Sequence, residues 1–306
     1  MKRTNENIFT KYYMLALFAL FACFLWGSAF PSIKIGYELF SITSSFEKIT
    51  FAGLRFLLSS LLIFAFCLIT RRKLKLSRKN LYYLIGLGLV QTTIQYILFY
   101  IGLSNTTGTK GSILAATNTL FSVLLVPLFF KNDKLNIKKV IGLILGFMGV
   151  VVINLANASS ELGFNFMGDG FIILSSFMGA IGGIYTKKLT KDIDAFLISG
   201  YQLFIGSIFL IGVGLAGGTN EMVFSAKGLA LLLYLGFVSA AAFSIWTILL
   251  KYNSVSRVTI YKFTIPLFGV LLSYIFLKER LMGINTIISI VLVSLSIILI
   301  SLEKEK

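Results

Sequence analysis

SVSRVTIYKFTIPLFGVLLSYIFLKERL, residues 254–281, is an apolar span interrupted by Pro266 and closed by the charged clip Lys278, Glu279 and Arg280. It has a counterpart upstream. TNTLFSVLLVPLFFK, starting at Thr117, aligns with TIPLFGVLLSYIFLK, starting at Thr264, at an offset of 147 residues with eight of fifteen positions identical. The same offset sets Arg55 against Gln202 and Ser60 against Ser207, and dropping one residue pairs Asp133, Lys134 and Leu135 with Glu279, Arg280 and Leu281. Two copies of one unit explain this, an ancestry common among membrane transporters. The first copy is expected over residues 1–157 and the second over residues 158–306.

The surrounding composition sets the solvent. The chain has 306 residues, is 57% hydrophobic and only 13% charged, with a mean hydropathy of +0.90. Soluble domains carry nearly twice that share of charge, so the fold class expected is an all-α integral membrane protein. The net charge of +16 would suggest nucleic acid in a soluble protein. Here most Lys and Arg fall between apolar spans, where they set orientation, and no nucleic-acid partner is expected. Cys23 and Cys67 lie inside apolar spans, which argues against a disulfide framework. There is no histidine, which removes the commonest proton shuttle and metal ligand. No metal or cofactor is expected.

A helix needs about 20 apolar residues to cross the hydrocarbon core. Ten such spans are expected: Tyr12 to Ile33, Ile49 to Ile69, Leu81 to Leu103, Gly111 to Phe130, Val140 to Asn157, Gly170 to Thr186, Ala195 to Ala216, Gly228 to Leu250, Val258 to Leu277 and Gly283 to Leu302. With the N-terminus inside, 20 of the 28 Lys and Arg fall in cytoplasmic segments, among them Arg71, Arg72, Lys73, Lys75, Arg78 and Lys79 between spans two and three. Only Lys34, Lys48, Lys110, Lys227, Lys278 and Arg280 fall outside. The positive-inside rule therefore places both termini in the cytoplasm. Five spans per copy is an odd number, so the two copies must be inverted relative to each other, an arrangement suited to alternating access. The first span is basic at its start, as in a signal peptide, but it is too long and nine more follow, so no cleavage is expected.

With Trp26-Gly27-Ser28 closing span one, Leu54-Arg55-Phe56 in span two and the motif from Pro266 to Leu281 in place, the chain resembles the drug/metabolite transporter superfamily, EamA type. The resemblance covers nearly the whole chain. It implies a ten-helix, inverted-repeat secondary carrier, often a bacterial exporter of amino acids and related metabolites, with a central cavity lined mainly by spans one, three, four, six, eight and nine. This sequence departs from the family pattern at Thr119, where proline is usual, at Asp133, where glutamate is usual, and in the last span, where Ile288 and Leu295 replace glycines.

Two formal charges lie within spans, Arg55 and Lys262. A charge at the centre of a membrane helix costs about 2.5 to 3.5 kcal/mol on insertion scales. Arg55 either snorkels or clamps a helix end, or shares a polar stripe with Ala52 and Ser59, matched by Ser199, Gln202 and Gly206 in the other copy. Lys262 heads a stripe with Pro266, Gly269 and Ser273. It either faces a cavity or snorkels inward, and Pro266 withdraws a backbone donor, which a membrane tolerates where a cavity or neighbours compensate. Asn118 and Ser122 share a face of span four, and Gln91 and Gln95 stand four apart in span three beside Tyr96 and Tyr100. Such groups bind zwitterionic or heterocyclic solutes, and they also stitch helices together. Ser239, Phe243 and Trp246 share a face of span eight, with lipid-belt or packing roles the alternative for Trp246. Trp26 and Tyr185 complete the candidate set from the other cavity helices. Gly142, Gly146 and Gly149 form a small-residue seam in span five, read as structural.

No Asp or Glu lies deep in a span, and no phosphate-binding Gly-x-x-x-x-Gly-Lys-Ser/Thr loop is present. The function expected is a secondary transporter that moves a small solute, an amino acid or another carboxylate-bearing metabolite, outward across the bacterial cytoplasmic membrane by alternating access. The alternatives are a carrier of neutral aromatic or heterocyclic compounds, a non-transporting membrane scaffold or receptor, and a membrane enzyme for lipid-linked substrates, which would need positioned acids, bases or metal ligands. The sequence does not set an oligomeric state.

Overall fold

The computed structural model describes residues 8–106, 108–155, 164–218, 222–277 and 284–301. The charged clip at Lys278, Glu279 and Arg280 lies outside them. All regular structure among the described residues is helical. Helices α1 (Tyr12–Leu39) and α2 (Ser45–Ile69) are followed by α3 (Arg78–Leu87), a π-helical turn (Gly88–Ile94) and α4 (Gln95–Ser104). Next come α5 (Gly108–Ala115), α6 (Thr117–Phe129) and α7 (Ile137–Leu155). A second π-helical turn (Phe166–Gly170) opens α8 (Phe171–Leu189), and α9 (Ala195–Ala216) and α10 (Ala226–Tyr252) follow. The last stretch holds α11 (Val255–Thr259), a 3-10 turn (Ile260–Phe263), α12 (Thr264–Leu277) and α13 (Ile284–Ser301).

Seven of these stretches are long and apolar enough to cross a bilayer: Tyr12–Leu39, Ser45–Ile69, Arg78–Ser104, Phe166–Leu189, Ala195–Ala216, Ala226–Tyr252 and Val255–Phe276. The other three expected spans are occupied by the shorter helices α5 with α6, α7 and α13. The protein is thus an all-α, multi-span membrane protein. The helix over the first expected span continues past Ile33 through Lys34 and Glu38 to Leu39. Its 28 residues reach about 42 Å at 1.5 Å per residue, longer than the hydrocarbon core, so these two charged residues lie beyond the apolar part. Large apolar side chains such as Leu128, Phe276 and Ile287 stand exposed on the outer faces, the surface expected of a protein dissolved in lipid.

Helix ends are closed by their own side chains. Ser44 accepts from the Glu47 amide at 3.1 Å, while the Glu47 carboxylate accepts from the Ser44 and Thr43 amides at 2.9 and 2.7 Å. This capping box satisfies donors that α2 leaves without partners. Asp194 caps α9 by accepting from the Phe196 amide at 2.9 Å and takes a 2.6 Å ion pair from Arg72.

The core is built from helix pairs: α2 lies along α9, α7 along α13, α1 against α10 and α12, and α4 and α6 against α8. The glycine seam of α7 works as expected. A Cβ on Gly142 would meet Ile300, one on Gly146 would meet Phe263 and Ser296, and one on Gly149 would meet Val293. At that distance Ser289 and Ser296 of α13 donate to the Gly149 and Gly142 carbonyls, each at 2.6 Å, so close backbone approach and interhelical hydrogen bonds reinforce each other.

Two backbone breaks fall at matching places in the aligned copies. α6 starts at Thr117 after a break at Ala116, and α12 starts at Thr264 after the 3-10 turn. Thr117 turns its hydroxyl back to the Leu114 carbonyl, and Thr264, 147 residues on, does the same to Tyr261. Because α12 restarts at Thr264, Pro266 sits in the first turn of a helix, where its missing N–H would have had no intrahelical partner.

Candidate functional site

The breaks and π-helical turn surround one cavity of about 360 Å³, within the range of small-molecule sites. Eight of the residues singled out from the sequence line it: Trp26, Arg55, Gln91, Gln95, Asn118, Trp246, Lys262 and Pro266. Tyr185 and Ser239 do not. Tyr185 lies six residues beyond Gly179, a lining residue of α8, so at 3.6 residues per turn it points about 120° away from it. It packs instead with Leu84, Leu87 and Leu189. Ser239 is fully buried behind the wall, where it acts on Arg55.

Arg55 does not snorkel. It is 3% exposed, its Nε donates to Ser239 Oγ at 2.7 Å, and its guanidinium lies 5.0 Å from the centre of the Phe56 ring. These contacts tie α2 to α10 and leave the guanidinium on the cavity wall, which Tyr96 and Tyr100 also line.

Lys262 forms the second positive pole. Its Nζ donates to Asn118 Oδ1 at 2.9 Å and stands 5.3 Å over the Trp246 ring. Asn118 Nδ2 in turn donates to the Ser176 carbonyl at 2.8 Å, which fixes the amide with its oxygen toward the lysine. Only a glycine fits opposite, since a Cβ on Gly179 would lie 2.5 Å from Asn118 Nδ2. Span nine, span four and span six thus meet at one ammonium group.

Around these poles the wall is aromatic. Trp26 and Trp246, the two tryptophans of the chain, are 5.1 Å apart between ring centres, and Trp26 meets Phe243 edge-on at 5.5 Å. Trp246 is 5% exposed, which removes the lipid-belt alternative. Gln91 Oε1 accepts from Thr186 at 3.0 Å. Ser175 donates to the Gln95 carbonyl at 2.8 Å, and Ser176 reaches the Leu114 and Ala115 carbonyls at 3.2 and 3.3 Å. The latter are the carbonyls that the break at Ala116 frees, so the irregular backbone is satisfied where it borders a cavity. None of the described residues lining the cavity is Asp or Glu.

Ser175, Ser176 and Gly179 escaped the sequence reading, although the run Gly179-Ala180-Ile181-Gly182-Gly183 marks a helix face built for close neighbours. The repeat offset would have found one of them. Residues 147 apart line the cavity together as Ala29 with Ser176, Tyr96 with Phe243, Phe99 with Trp246, Ala115 with Lys262, Asn118 with Ile265 and Thr119 with Pro266.

Comparison with known proteins agrees with this architecture. The EamA-like transporter family matches twice, over residues 14–155 and 166–302. An uncharacterized transporter of Archaeoglobus fulgidus is 30% identical over 84% of this chain and 86% of its own length. The uncharacterized transporter YvbV of Bacillus subtilis is 29% identical over 95% and 92%, and the uncharacterized inner membrane transporter YedA of Escherichia coli is 28% identical over 84% and 80%. One crystal structure shares the fold with a TM-score of 0.79 over 94% of this chain and 98% of its own, at 17% identity. The chain, a multi-span helical protein with a cavity at its centre, belongs to the EamA-like transporter family and is a membrane transporter.

Proposed function

We propose that the protein is a secondary carrier that moves a small carboxylate-bearing metabolite, an amino acid or a relative, outward across the bacterial cytoplasmic membrane. The observation that carries this reading is the placement of Arg55 and Lys262 on one cavity with no Asp or Glu among its described lining residues. A buried cation is stabilised when an oppositely charged group arrives with charge-assisted hydrogen bonds, and a substrate carboxylate supplies that group. Family membership and the names of the relatives point to transport and not to catalysis.

The carrier reading includes ten spans arranged as two inverted five-span units with both termini cytoplasmic, working by alternating access. Three observations support it: the breaks at matching positions, the six cavity pairs 147 residues apart, and the positive-inside count. The lining residues Phe30, Ile33, Leu103 and Gly111 have no lining partner at that offset, and in the proposed topology they all lie toward the outer ends of their helices. On this reading the cavity opens outward. Their counterparts Phe177, Ala180, Leu250 and Val258, the last three buried here, line it when it opens inward.

The test is purified protein in liposomes screened for flux of labelled metabolites, alongside Lys262→Gln and Arg55→Gln at matched amounts of folded protein. Lys262→Gln is expected to reduce flux of the native solute far more than it reduces folded protein, and Arg55→Gln to do the same or to lose folded protein through its bond to Ser239. Wild-type rates in both variants would sink the carboxylate site and leave the aromatic and amide wall as a site for a neutral solute. Absence of flux across the whole panel would favour a non-transporting membrane protein.

A further inference from the structure

We infer that the solute is a dianion, carrying one acidic group for each of the two cavity cations, and not a zwitterion. This rests on the carboxylate reading above and deepens it. A zwitterionic amino acid brings an ammonium group that needs oxygen acceptors or an aromatic face. Several such partners are already held by the cavity's own cations. Asn118 Oδ1 and the Trp246 face are occupied by Lys262, and Ser239 Oγ and the Phe56 ring by Arg55. Gln91 Oε1 accepts from Thr186. No carboxylate is found among the described lining residues, so a third cation would enter a low-dielectric space facing two like charges and no fixed anion. One carboxylate would leave the occupied cavity with an excess positive charge, whereas two carboxylates neutralise it.

The aromatic wall suits a ligand with an apolar body between its acidic ends. Rings in edge-on and tilted contact, Trp26 with Phe243 and Trp26 with Trp246, offer faces and edges to a flat or aliphatic middle. The acidic groups then go to the two poles, one held from α2 and the other from the 3-10 turn before α12. The cavity volume admits a small metabolite of this kind.

Because both tryptophans of the chain line the cavity, intrinsic fluorescence of the purified full chain reports occupancy without knowledge of the native solute. The probes are phenylsuccinate, a dianion at neutral pH, 3-phenylpropionate, a monoanion, and phenylalanine, a zwitterion. Phenylsuccinate is expected to bind about tenfold or more tighter than 3-phenylpropionate, with phenylalanine weakest. Lys262→Gln is expected to erase the difference between the two acids, and Lys262→Arg to keep it. The wild-type series decides the matter even where a variant does not fold. Equal binding of the two acids, both above phenylalanine, overturns the dianion while leaving the carboxylate reading intact. Phenylalanine binding as tightly as phenylsuccinate overturns the dianion and points to a zwitterion. Quenching by none of the three overturns both readings at once.

Discussion

Replacing Asp133 with asparagine removes one charge at nearly constant volume from the most enclosed ion pair described in the protein. Asp133 is 5% exposed and the Lys139 side chain 8%. Lys139 Nζ lies 2.6 Å from Asp133 Oδ1 and also donates to the Lys134 carbonyl at 2.6 Å. The second carboxylate oxygen accepts from the Ser256 amide at 3.1 Å, so this one side chain fastens the α6–α7 loop to the start of α11. An asparagine has a single acceptor oxygen and two donors. Whichever way the amide turns, its NH2 faces either the Lys139 ammonium or the Ser256 N–H. Breaking one partner of a buried pair costs about 3 to 5 kcal/mol, because the other charge is left uncompensated. Equilibrium unfolding in detergent, followed by the two tryptophans, is expected to show a loss of that size. Asp133→Asn combined with Lys139→Met is expected to be less destabilised than Asp133→Asn alone, since no lone charge remains. A single variant within about 0.5 kcal/mol of wild type, or a double variant whose loss equals the sum of the singles, would refute the argument.

The glycine seam gives a paired prediction. Gly146→Ala drives a Cβ to 2.2 Å from the Phe263 ring and is expected to lose about 1 to 3 kcal/mol by overpacking. Gly183→Ala meets nothing within 4 Å and is expected to melt at or above the wild-type temperature, since alanine is the better helix former by up to about 1 kcal/mol. The same melting temperature for both variants would show that Gly146 of α7 is not in the close contact with Phe263 and Ser296 described. Topology is tested with single cysteines and an impermeant thiol reagent on intact cells. Cysteine at exposed Lys73 is expected to be shielded, and cysteine at exposed Phe164 to react. Labelling at Lys73 from outside would overturn the proposal that both termini are cytoplasmic.

Much of the site was legible in the chain because membrane helices make charge and amide groups conspicuous. Arg55 and Lys262 stand out in apolar spans, and Gln91, Gln95 and Asn118 are rare enough there to be noticed. What escaped were serines and glycines such as Ser175, Ser176 and Gly179, which are common in membrane helices for packing alone. Ser239 was expected on the cavity wall and instead serves Arg55 from behind it.

The sequence by itself determined that the protein dissolves in lipid and roughly which stretches are helical, and it carries an offset of 147 residues between its halves. Hydropathy, Lys and Arg placement and the offset of 147 residues are properties of the chain. The tertiary structure alone decided which way each helix faces. In a soluble helix the polar face betrays its outside. In lipid the outer surface is as apolar as the core, so the rotation of α2 or α8 about its own axis leaves little trace in the sequence. Packing against neighbours sets it, and that packing brings Arg55 to Ser239, Lys262 to Asn118 and both cations to one cavity, while it turns Tyr185 away.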